Sequence, residues 1–227
     1  MHNSVKISSA LLILLILFGC SGRHKVDYID KSYSTDTVSV SLRIPQIAGL
    51  ADKGFESEIN ANLEESCMEF LNKFKNSAED TCIPSVFTSE SATCDKNGFL
   101  SVITQIDYYT QKPHNNSFRL VKNINTNSCK EVGLSQLFAD SSYIDFLNNY
   151  LSNTVSANPE TYSDLWAKPV LMQNQQYYIK DDCLILYYPP YELSYYARGF
   201  VEFSVPLAEL SGYFNDEYRA IFVNNYK

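Results

Sequence analysis

The spacing of apolar residues along the chain predicts its main elements. Residues 37–44 (TVSVSLRI) alternate apolar and polar side chains, which is typical of a half-buried strand, and Pro45 is expected to end it. From residue 54 to about residue 76 the spacing changes to steps of three and four, which predicts a long helix with one apolar face. The apolar positions of this helix are Phe55, Ile59, Leu63, Cys67, Phe70, Leu71 and Phe74.

A series of strand patterns separated by turn residues follows this helix. The predicted strands span residues 85–93, 99–109, 118–124 and 129–132. Turn residues occupy 95–98 (DKNG) and 125–128 (NTNS), and a loop is predicted at 112–116. Consecutive strands joined by short turns predict an antiparallel meander.

The second half of the chain predicts one more long helix and three more strands. The helix covers residues 142–155, with Ser141 or Ser142 as its cap. The strands are predicted at 176–179, 183–188 and 200–205, and Pro189-Pro190 ends the second of them. Because helices and strands do not alternate regularly, the predicted fold class is α+β, with an antiparallel meander sheet packed by two long helices.

The first nineteen residues predict a leader and not part of the fold. A polar start carries Lys6, and an apolar core of residues 10–18 follows. That core is shorter than the roughly 20 residues that a membrane-spanning helix needs, and it has the length of a signal-peptide core. The ending Leu17-Phe18-Gly19-Cys20 resembles the bacterial lipobox, which implies that the Cys20 thiol is lipidated. An ordinary secretory leader is the open alternative.

These patterns predict the organisation of the whole chain. We expect a lipoprotein signal peptide at 1–19, a tether at 20–35, one α+β domain at 36–212 and a C-terminal tail at 213–227. Within the domain, residues 36–110 form the N-terminal part and 111–212 the C-terminal part. The predicted location is the bacterial cell envelope, facing outside the cytoplasm and anchored to the membrane by lipid.

The net charge of the chain argues against two classes of partner, nucleic acid and anionic lipid. The chain has 26 acidic and 18 basic side chains, a net charge of −8. It has no basic stripe for nucleic acid and no polybasic segment for anionic lipid. An acidic surface favours encounter with a cationic partner, although ordinary solubility explains the same composition.

Five cysteines follow Cys20, and an exported protein can keep disulfides. None stands in a Cys-x-x-Cys pair, so we expect no metal site. The turns near Cys94 and Cys129 lie at the same end of a meander, which makes these two residues one disulfide candidate. Cys67 and Cys82 are the other, and Cys183 is expected to stay free.

Residues for catalysis are scarce. After the leader only His24 and His114 remain as histidines, and the chain has no Gly-x-Ser-x-Gly elbow, His-Glu-x-x-His motif or phosphate loop. Asp181-Asp182 could act as paired carboxylates on a glycan, but adjacent acids between strands are more typical of a polar turn. We therefore expect no enzyme activity, no catalytic residue and no cofactor.

Tyrosine is concentrated near the end of the chain, where seven tyrosines lie between residues 177 and 196. The four that fall on predicted strands, Tyr177, Tyr178, Tyr187 and Tyr188, are expected to be half-buried in the sheet. Residues 189–193 (PPYEL) instead predict a stiff loop that presents Tyr191, a residue type that binding surfaces favour. A recognition loop and a purely structural loop are both open interpretations.

Several stretches, in order, resemble one family of extracytoplasmic domains. The matching stretches are residues 38–50, 98–102, 109–138 and 184–206. The family is shared by the ectodomain of the lysozyme-sensing anti-sigma factor RsiV and the accessory domain of the polysaccharide deacetylase PdaC. The resemblance implies a binding role for the loop residues Pro189, Pro190, Tyr191 and Glu192, since the corresponding loop of the anti-sigma factor contributes to lysozyme capture. His114 lies in a matching stretch and is a further binding candidate.

These observations together predict a membrane-anchored extracytoplasmic lipoprotein that acts as a binding module. The expected partner is a lysozyme-like muramidase or peptidoglycan, and the expected role is that of a sensor, a decoy or an inhibitor. A cell-wall-processing enzyme and a structural envelope subunit are the open alternatives. They differ in whether the protein acts on wall fragments and whether it co-purifies with envelope proteins.

Overall fold

The computed structural model of the protein describes residues 25–81, 85–110 and 116–223. Within these ranges nine strands form two sheets, and three α-helices pack on them. The strands are β1 (Lys25–Ser34), β2 (Val38–Ala48), β3 (Ser85–Lys96), β4 (Phe99–Thr110), β5 (Asn116–Asn125), β6 (Lys130–Glu131), β7 (Tyr177–Lys180), β8 (Cys183–Tyr188) and β9 (Val201–Pro206). The helices are α1 (Lys53–Thr81), α2 (Ser142–Ala157) and α3 (Asp216–Phe222). None of the described helices is long and apolar enough to cross a membrane.

The first sheet has six strands in the order β1-β2-β3-β4-β5-β6. Its neighbouring strands are antiparallel except β2 and β3, which are parallel and are connected through α1. The second sheet is the antiparallel set β7-β8-β9. The α+β class is confirmed, and the predicted meander holds from β3 to β6. The division into two sheets, the parallel pair and a third helix were not predicted.

Strand β1 corrects the prediction of a tether that extends to residue 35. Residues 25–34 pair antiparallel with β2 from Lys25 opposite Ala48 to Ser34 opposite Ser39. Strand β1 lies at the edge of the sheet, and its side chains are exposed or only partly buried. Charged side chains such as Lys25 and Asp27 are common on edge strands, where they discourage further pairing. The same charges make the segment resemble a polar tether in the sequence.

Strand β2 continues through Pro45, which the sequence analysis expected to end it. The parallel pairing with β3 stops at Ser41, so beyond that residue β2 has a backbone partner on one side only. A proline is tolerated there because the N–H it lacks has no ladder partner to lose. The side chain of Ser89 bridges the gap: its Oγ accepts the Arg43 N–H at 2.6 Å and donates to the Arg43 carbonyl at 3.2 Å.

Helix α1 covers one face of the first sheet, as its apolar spacing predicted. Its buried residues Ile59, Leu63, Cys67 and Leu71 pack on two clusters that include Val40, Ile44, Leu100, Val102 and Ile124. The Asp52 carboxylate accepts the N–H groups of Gly54 and Phe55 at 2.8 and 3.0 Å, which caps the helix.

The second sheet lies between the first sheet and α2. One face, formed by Tyr178, Ile185 and Tyr187, packs on Ile103 and Val121 of the first sheet. The other face joins the largest core cluster, together with Leu147 and Leu151 of α2. The four strand tyrosines, Tyr177, Tyr178, Tyr187 and Tyr188, are all buried, which confirms that they belong to the sheet.

Polar side chains form hydrogen bonds that fix the position of the second sheet on the first. The Ser101 Oγ on β4 accepts the Ile179 N–H of β7 at 3.0 Å. The Asn123 amide on β5 donates to the Tyr177 carbonyl at 2.7 Å. These bonds fix β7 across the first sheet, and with it the loops at both ends of β8.

Helix α3 corrects the prediction of a C-terminal tail at 213–227. Its residues Tyr218, Ile221 and Phe222 are buried, and the rings of Tyr218 and Phe222 meet Phe99 edge-on at centroid distances of 6.0 and 5.0 Å. A helix of seven residues is too short to produce a clear periodic pattern. At α2, Ser141 occupies the N-cap position as predicted, but its side chain makes no capping hydrogen bond. The Asp140 carboxylate instead accepts the Ser142 N–H at 2.8 Å.

Candidate binding surface

Two long loops place exposed aromatic rings side by side beyond the end of β8. One loop is the β8–β9 connection, and the other joins α2 to β7. We call the rings of Trp166, Tyr191, Tyr195 and Tyr196 the aromatic surface. Trp166 is 48 % exposed, Tyr191 58 % and Tyr195 64 %. Neighbouring exposed aromatic side chains are unusual on a monomer surface and are typical of binding sites.

A tight turn presents Tyr191. The Glu192 N–H donates to the Pro189 carbonyl at 3.2 Å, which closes the turn around Pro190 and Tyr191. Tyr191 has a φ of 72°, so it stands in the left-handed region at the third position of a type II turn. Glycine or asparagine is the usual residue there, and another L-residue costs roughly 1–2 kcal/mol.

Trp166 ties the two loops together. Its ring Nε1 donates to the Glu192 carbonyl at 3.3 Å, and its backbone N–H donates to the Leu193 carbonyl at 3.0 Å. The indole meets the Tyr195 ring edge-on, with centroids 4.8 Å apart and an interplanar angle of 82°. Tyr191 and Tyr196 form a second pair at 5.5 Å. The rings are therefore held in place before any partner arrives.

The charged groups that support these loops are paired with one another. Asp164 accepts a hydrogen bond from the Ser194 hydroxyl at 2.8 Å and forms an ion pair with Arg198. The Ser194 hydrogen bond and the nearby Arg198 charge lower the pKa of the Asp164 carboxyl. Arg198 also donates to the Thr161 carbonyl at 2.9 Å. The surface consequently presents rings and hydroxyl groups with little uncompensated charge.

Glu192 is less exposed than a residue at the rim of a binding site would be. Its side chain is partly buried, and this burial raises the pKa of its carboxyl. Its charge contributes to the raised pKa of the neighbouring Tyr188 hydroxyl, for which burial is the larger cause. Pro189, Pro190, Tyr191 and Glu192 are thus brought together in one turn, with Tyr191 outward and Glu192 turned partly into the protein.

The remaining site predictions divide into two groups. Cys20, Cys82 and His114 lie outside the described residues. Cys94 and Cys129 are described, and each is a free thiol. Cys94 stands opposite Ser101, on the side of the first sheet that faces β7, whereas Cys129 packs on the cluster beneath α1. The two turns do share one end of the sheet, but the thiols face opposite sides of it, so the structure does not bring this pair together.

The two adjacent acids, Asp181 and Asp182, form the turn between β7 and β8. Both have positive φ, 48° and 58°, and Asp182 pairs with Lys96 of β3. This is the polar turn that the sequence favoured. Among the described residues, no three His, Cys, Asp or Glu side chains are grouped so that they could hold a metal ion.

Sequence reasoning missed Trp166. It is the only tryptophan of the chain and lies in an aperiodic segment between α2 and β7. A single large aromatic residue in a segment without helix or strand periodicity was the available signal. Its bond to the Glu192 carbonyl depends on the tertiary fold and could not be inferred from spacing.

Comparisons with known proteins cover most of the chain. Residues 31–126 match the family model described as Deacetylase PdaC, and residues 135–208 match the one described as Protein of unknown function (DUF3298). The sequence matches no curated protein. The first matching segment includes the end of β1 and all of β2 to β5, and the second contains the aromatic surface.

Two crystal structures share the fold. One is a member of the DUF3298 family from Bacteroides fragilis, with a TM-score of 0.68 and 14 % identity over 90 % of this chain and 99 % of that chain. The other is a DUF3298 family protein from Pseudomonas aeruginosa, with a TM-score of 0.63 and 12 % identity over 88 % and 98 %. At these identities the likeness concerns the fold alone.

Proposed function

We propose, since residues 31–126 match the PdaC model and residues 135–208 match the DUF3298 model, that the protein is an exported, lipid-anchored binding module. In this proposal the aromatic surface captures a partner outside the cytoplasm and no reaction follows. The partner is a lysozyme-like muramidase or peptidoglycan, and capture makes the protein a sensor, a decoy or an inhibitor.

The conformation of Tyr191 is the observation that carries the proposal. Its side chain is 58 % exposed, yet its backbone is held at a φ of 72°. A glycine would form the same turn at lower cost, so the tyrosine does not serve the turn. Strained residues that persist on a surface are concentrated at functional sites. An exposed ring on a rigid turn is the kind of anchor that dominates binding energy in interfaces.

The net charge of −8 supports a basic partner over an acidic one. Long-range attraction between opposite charges raises the rate at which two proteins meet, even where the contact itself is aromatic. A cationic muramidase fits this pattern. The aromatic rings would then provide the contact that slows dissociation.

Surface plasmon resonance on the immobilised protein tests the proposal, with several lysozyme types as soluble partners and with wall sacculi in a parallel pull-down. The test variant carries Trp166→Ala and Tyr195→Ala. The control is Tyr33→Ala, which removes a partly exposed tyrosine on β1. We expect the wild type and the control to bind alike and the double variant to lose binding. Absence of wild-type binding to every lysozyme and to sacculi would reject the function, and unchanged binding of the double variant would reject the surface.

Lipid anchoring needs its own test, because Cys20 lies outside the described residues. Replacing Cys20 with alanine removes the thiol that would be acylated. We expect the wild type to incorporate a labelled fatty acid and to fractionate with membranes, and Cys20→Ala to do neither. An unlabelled wild type in the soluble fraction would contradict the proposal.

A further inference from the structure

A polar groove lies beside β7, and it shares no residue with the aromatic surface. Its volume is about 470 Å³, within the range of roughly 300–1,000 Å³ that is usual for ligand sites. One wall is formed by residues 131–135 and the other by residues 171–177. Tyr143 of α2 also lines the groove. We call it the amide groove, because four consecutive amide side chains, Gln173, Asn174, Gln175 and Gln176, line it.

One of these amides is structural and holds the wall in shape. Gln175 is only 4 % exposed; its side chain accepts the Met172 N–H at 3.2 Å and donates to the Tyr187 carbonyl at 2.9 Å. The Asn148 side chain of α2 accepts the Leu171 N–H at 2.8 Å, which fixes the start of the same wall. A loop pinned in this way is organised before a ligand binds, which lowers the entropic cost of binding.

Three polar groups of the groove are available. Within the described residues, the side-chain amides of Gln173 and Asn174 and the Tyr143 hydroxyl have no hydrogen-bond partner, and both amide side chains belong to exposed residues. A primary amide offers donors and an acceptor together, as does a phenol. Leu171 and Met172 add partly buried apolar surface to the same wall.

The charge of the groove is balanced. Glu131 is the acidic residue of the lining, and Lys122 pairs with it at 3.0 Å. A charged ligand would therefore find no opposite charge free to receive it. Neutral donors and acceptors beside an apolar wall match a neutral ligand that carries hydrogen-bonding groups next to a small apolar group.

We infer that the amide groove binds a neutral ligand with a secondary amide, namely an N-acetylated sugar. The acetamido carbonyl accepts from a side-chain NH₂ group, its N–H donates to an amide or phenol oxygen, and its methyl group packs on Leu171 and Met172. The sugar hydroxyl groups bond the remaining amide of the wall. The amide groove and the aromatic surface share no residue, so substitutions in one leave the other intact and the two proposals are tested separately.

Nuclear magnetic resonance titration of the purified protein tests the inference with two matched tetrasaccharides. Chitotetraose carries an acetamido group on every ring, and cellotetraose has the same β-1,4 backbone without them. We expect chitotetraose to shift backbone amide signals of residues 131–135 and 171–177, and cellotetraose to bind at least tenfold more weakly, because the groups that face the amide stay unpaired. Equal affinity for the two, shifts confined to other residues or no shifts at all would overturn the inference.

Variants and a third ligand identify the contacts. Gln173→Ala with Asn174→Ala, and Tyr143→Phe alone, are expected to weaken chitotetraose binding about three- to tenfold per lost hydrogen bond. Tyr143→Phe keeps the ring that stacks on Phe138 at 4.1 Å, so the fold is preserved. Asn153→Ala, an exposed amide on α2 outside the groove, is the control and should leave affinity unchanged. An N-acetylated dipeptide amide that binds as tightly as chitotetraose would show that the ligand is a peptide and not a sugar.

Discussion

Strand β8 turns sharply at both ends, and both turns hold non-glycine residues at positive φ. At its start, Asp181 and Asp182 occupy these positions, and Asp182 pairs with Lys96 of the first sheet. At its end, Tyr191 does so, and its ring projects into solvent. Aspartate enters the left-handed region at modest cost because its short side chain bonds locally, whereas tyrosine has no such compensation.

Under the proposed function, the difference separates a turn that stabilises the fold from a turn that presents a binding residue. The first uses residue types suited to its backbone and is tied to the neighbouring sheet. The second turn uses a residue type poorly suited to its backbone, and the result is an exposed Tyr191 ring that packs on Tyr196. Trp166 holds the same turn through its hydrogen bond to the Glu192 carbonyl. We therefore expect the two turns to respond differently to substitution.

The largest expected effect is on binding. Tyr191→Ala should weaken capture of a basic muramidase at least about 30-fold, because truncating a central aromatic anchor typically costs about 2 kcal/mol or more. Surface plasmon resonance measures the affinity, and circular dichroism checks the fold. Asp181→Ala at the opposite turn is the matched control and should bind as the wild type does. Unfolding of the Tyr191→Ala protein would instead show that the fold depends on this ring.

The next effect is on stability. Tyr191→Gly should raise the free energy of unfolding by about 0.5–1 kcal/mol, because relief of the positive φ exceeds the entropy that glycine adds to the unfolded chain. For a chain of this size the melting temperature should rise by roughly 1–4 °C. The same variant should lose binding. A lower melting temperature would mean that the ring contacts stabilise the turn more than its backbone strains it.

Asp181→Gly should change the melting temperature less than Tyr191→Gly does. Aspartate already tolerates the backbone of its turn, so relief of strain and added chain entropy nearly cancel. Thermal unfolding of the two glycine variants side by side measures the contrast. A gain for Asp181→Gly equal to that for Tyr191→Gly would remove the distinction between the turns.

The smallest effect is a pH dependence at the aromatic turn. Burial raises the pKa of Glu192 in the folded protein, so the native state holds this proton more tightly than the unfolded chain. Stability is therefore lost as the pH rises from below the unfolded value through the folded pKa. Glu192→Gln should be slightly more stable than the wild type at pH 7, and the gap should close below about pH 4. Denaturant titrations at several pH values test this.

Asp164 on the neighbouring loop should show the opposite sign. Its pKa is lowered in the folded protein by the Ser194 hydrogen bond and by Arg198, so its contribution is present above the unfolded value and is lost as the pH falls through the folded pKa. Asp164→Asn should consequently be less stable than the wild type at pH 7, with the gap closing in acid. The same titrations, run on both variants, compare the two signs directly.

The elements that could be predicted from sequence were those with a periodic pattern or with clear turn residues at their ends. Helix α1, helix α2 and the strands from β2 to β5 were found because many residues repeat one spacing, and the short strands β7, β8 and β9 were found because turn residues and prolines bound their apolar runs. Strand β1 and helix α3 were missed for different reasons. An edge strand that is mostly exposed carries the polar residues of a linker, and a seven-residue helix shows too few repeats.

The candidate surface was predicted in part. Two prolines before Tyr191 indicated a stiff loop, and the loop lies at the centre of the aromatic surface. Its positive φ could not be predicted, because local propensity argues against tyrosine at that position. Trp166 and the amide groove come from a loop that is aperiodic in sequence and acquires its shape from tertiary hydrogen bonds such as those of Gln175.

Strand β1 also sets how far the protein can reach. It begins at Lys25, only five residues after Cys20. Even a fully extended chain covers no more than about 18 Å over that span. With Cys20 as the proposed lipidated terminus, the folded domain would lie close to the lipid headgroups, because the connecting segment is short. A protein anchored in this way reaches only a thin layer next to the membrane and not the full depth of the wall. Under the proposed function, a partner must therefore come to the bilayer to be captured.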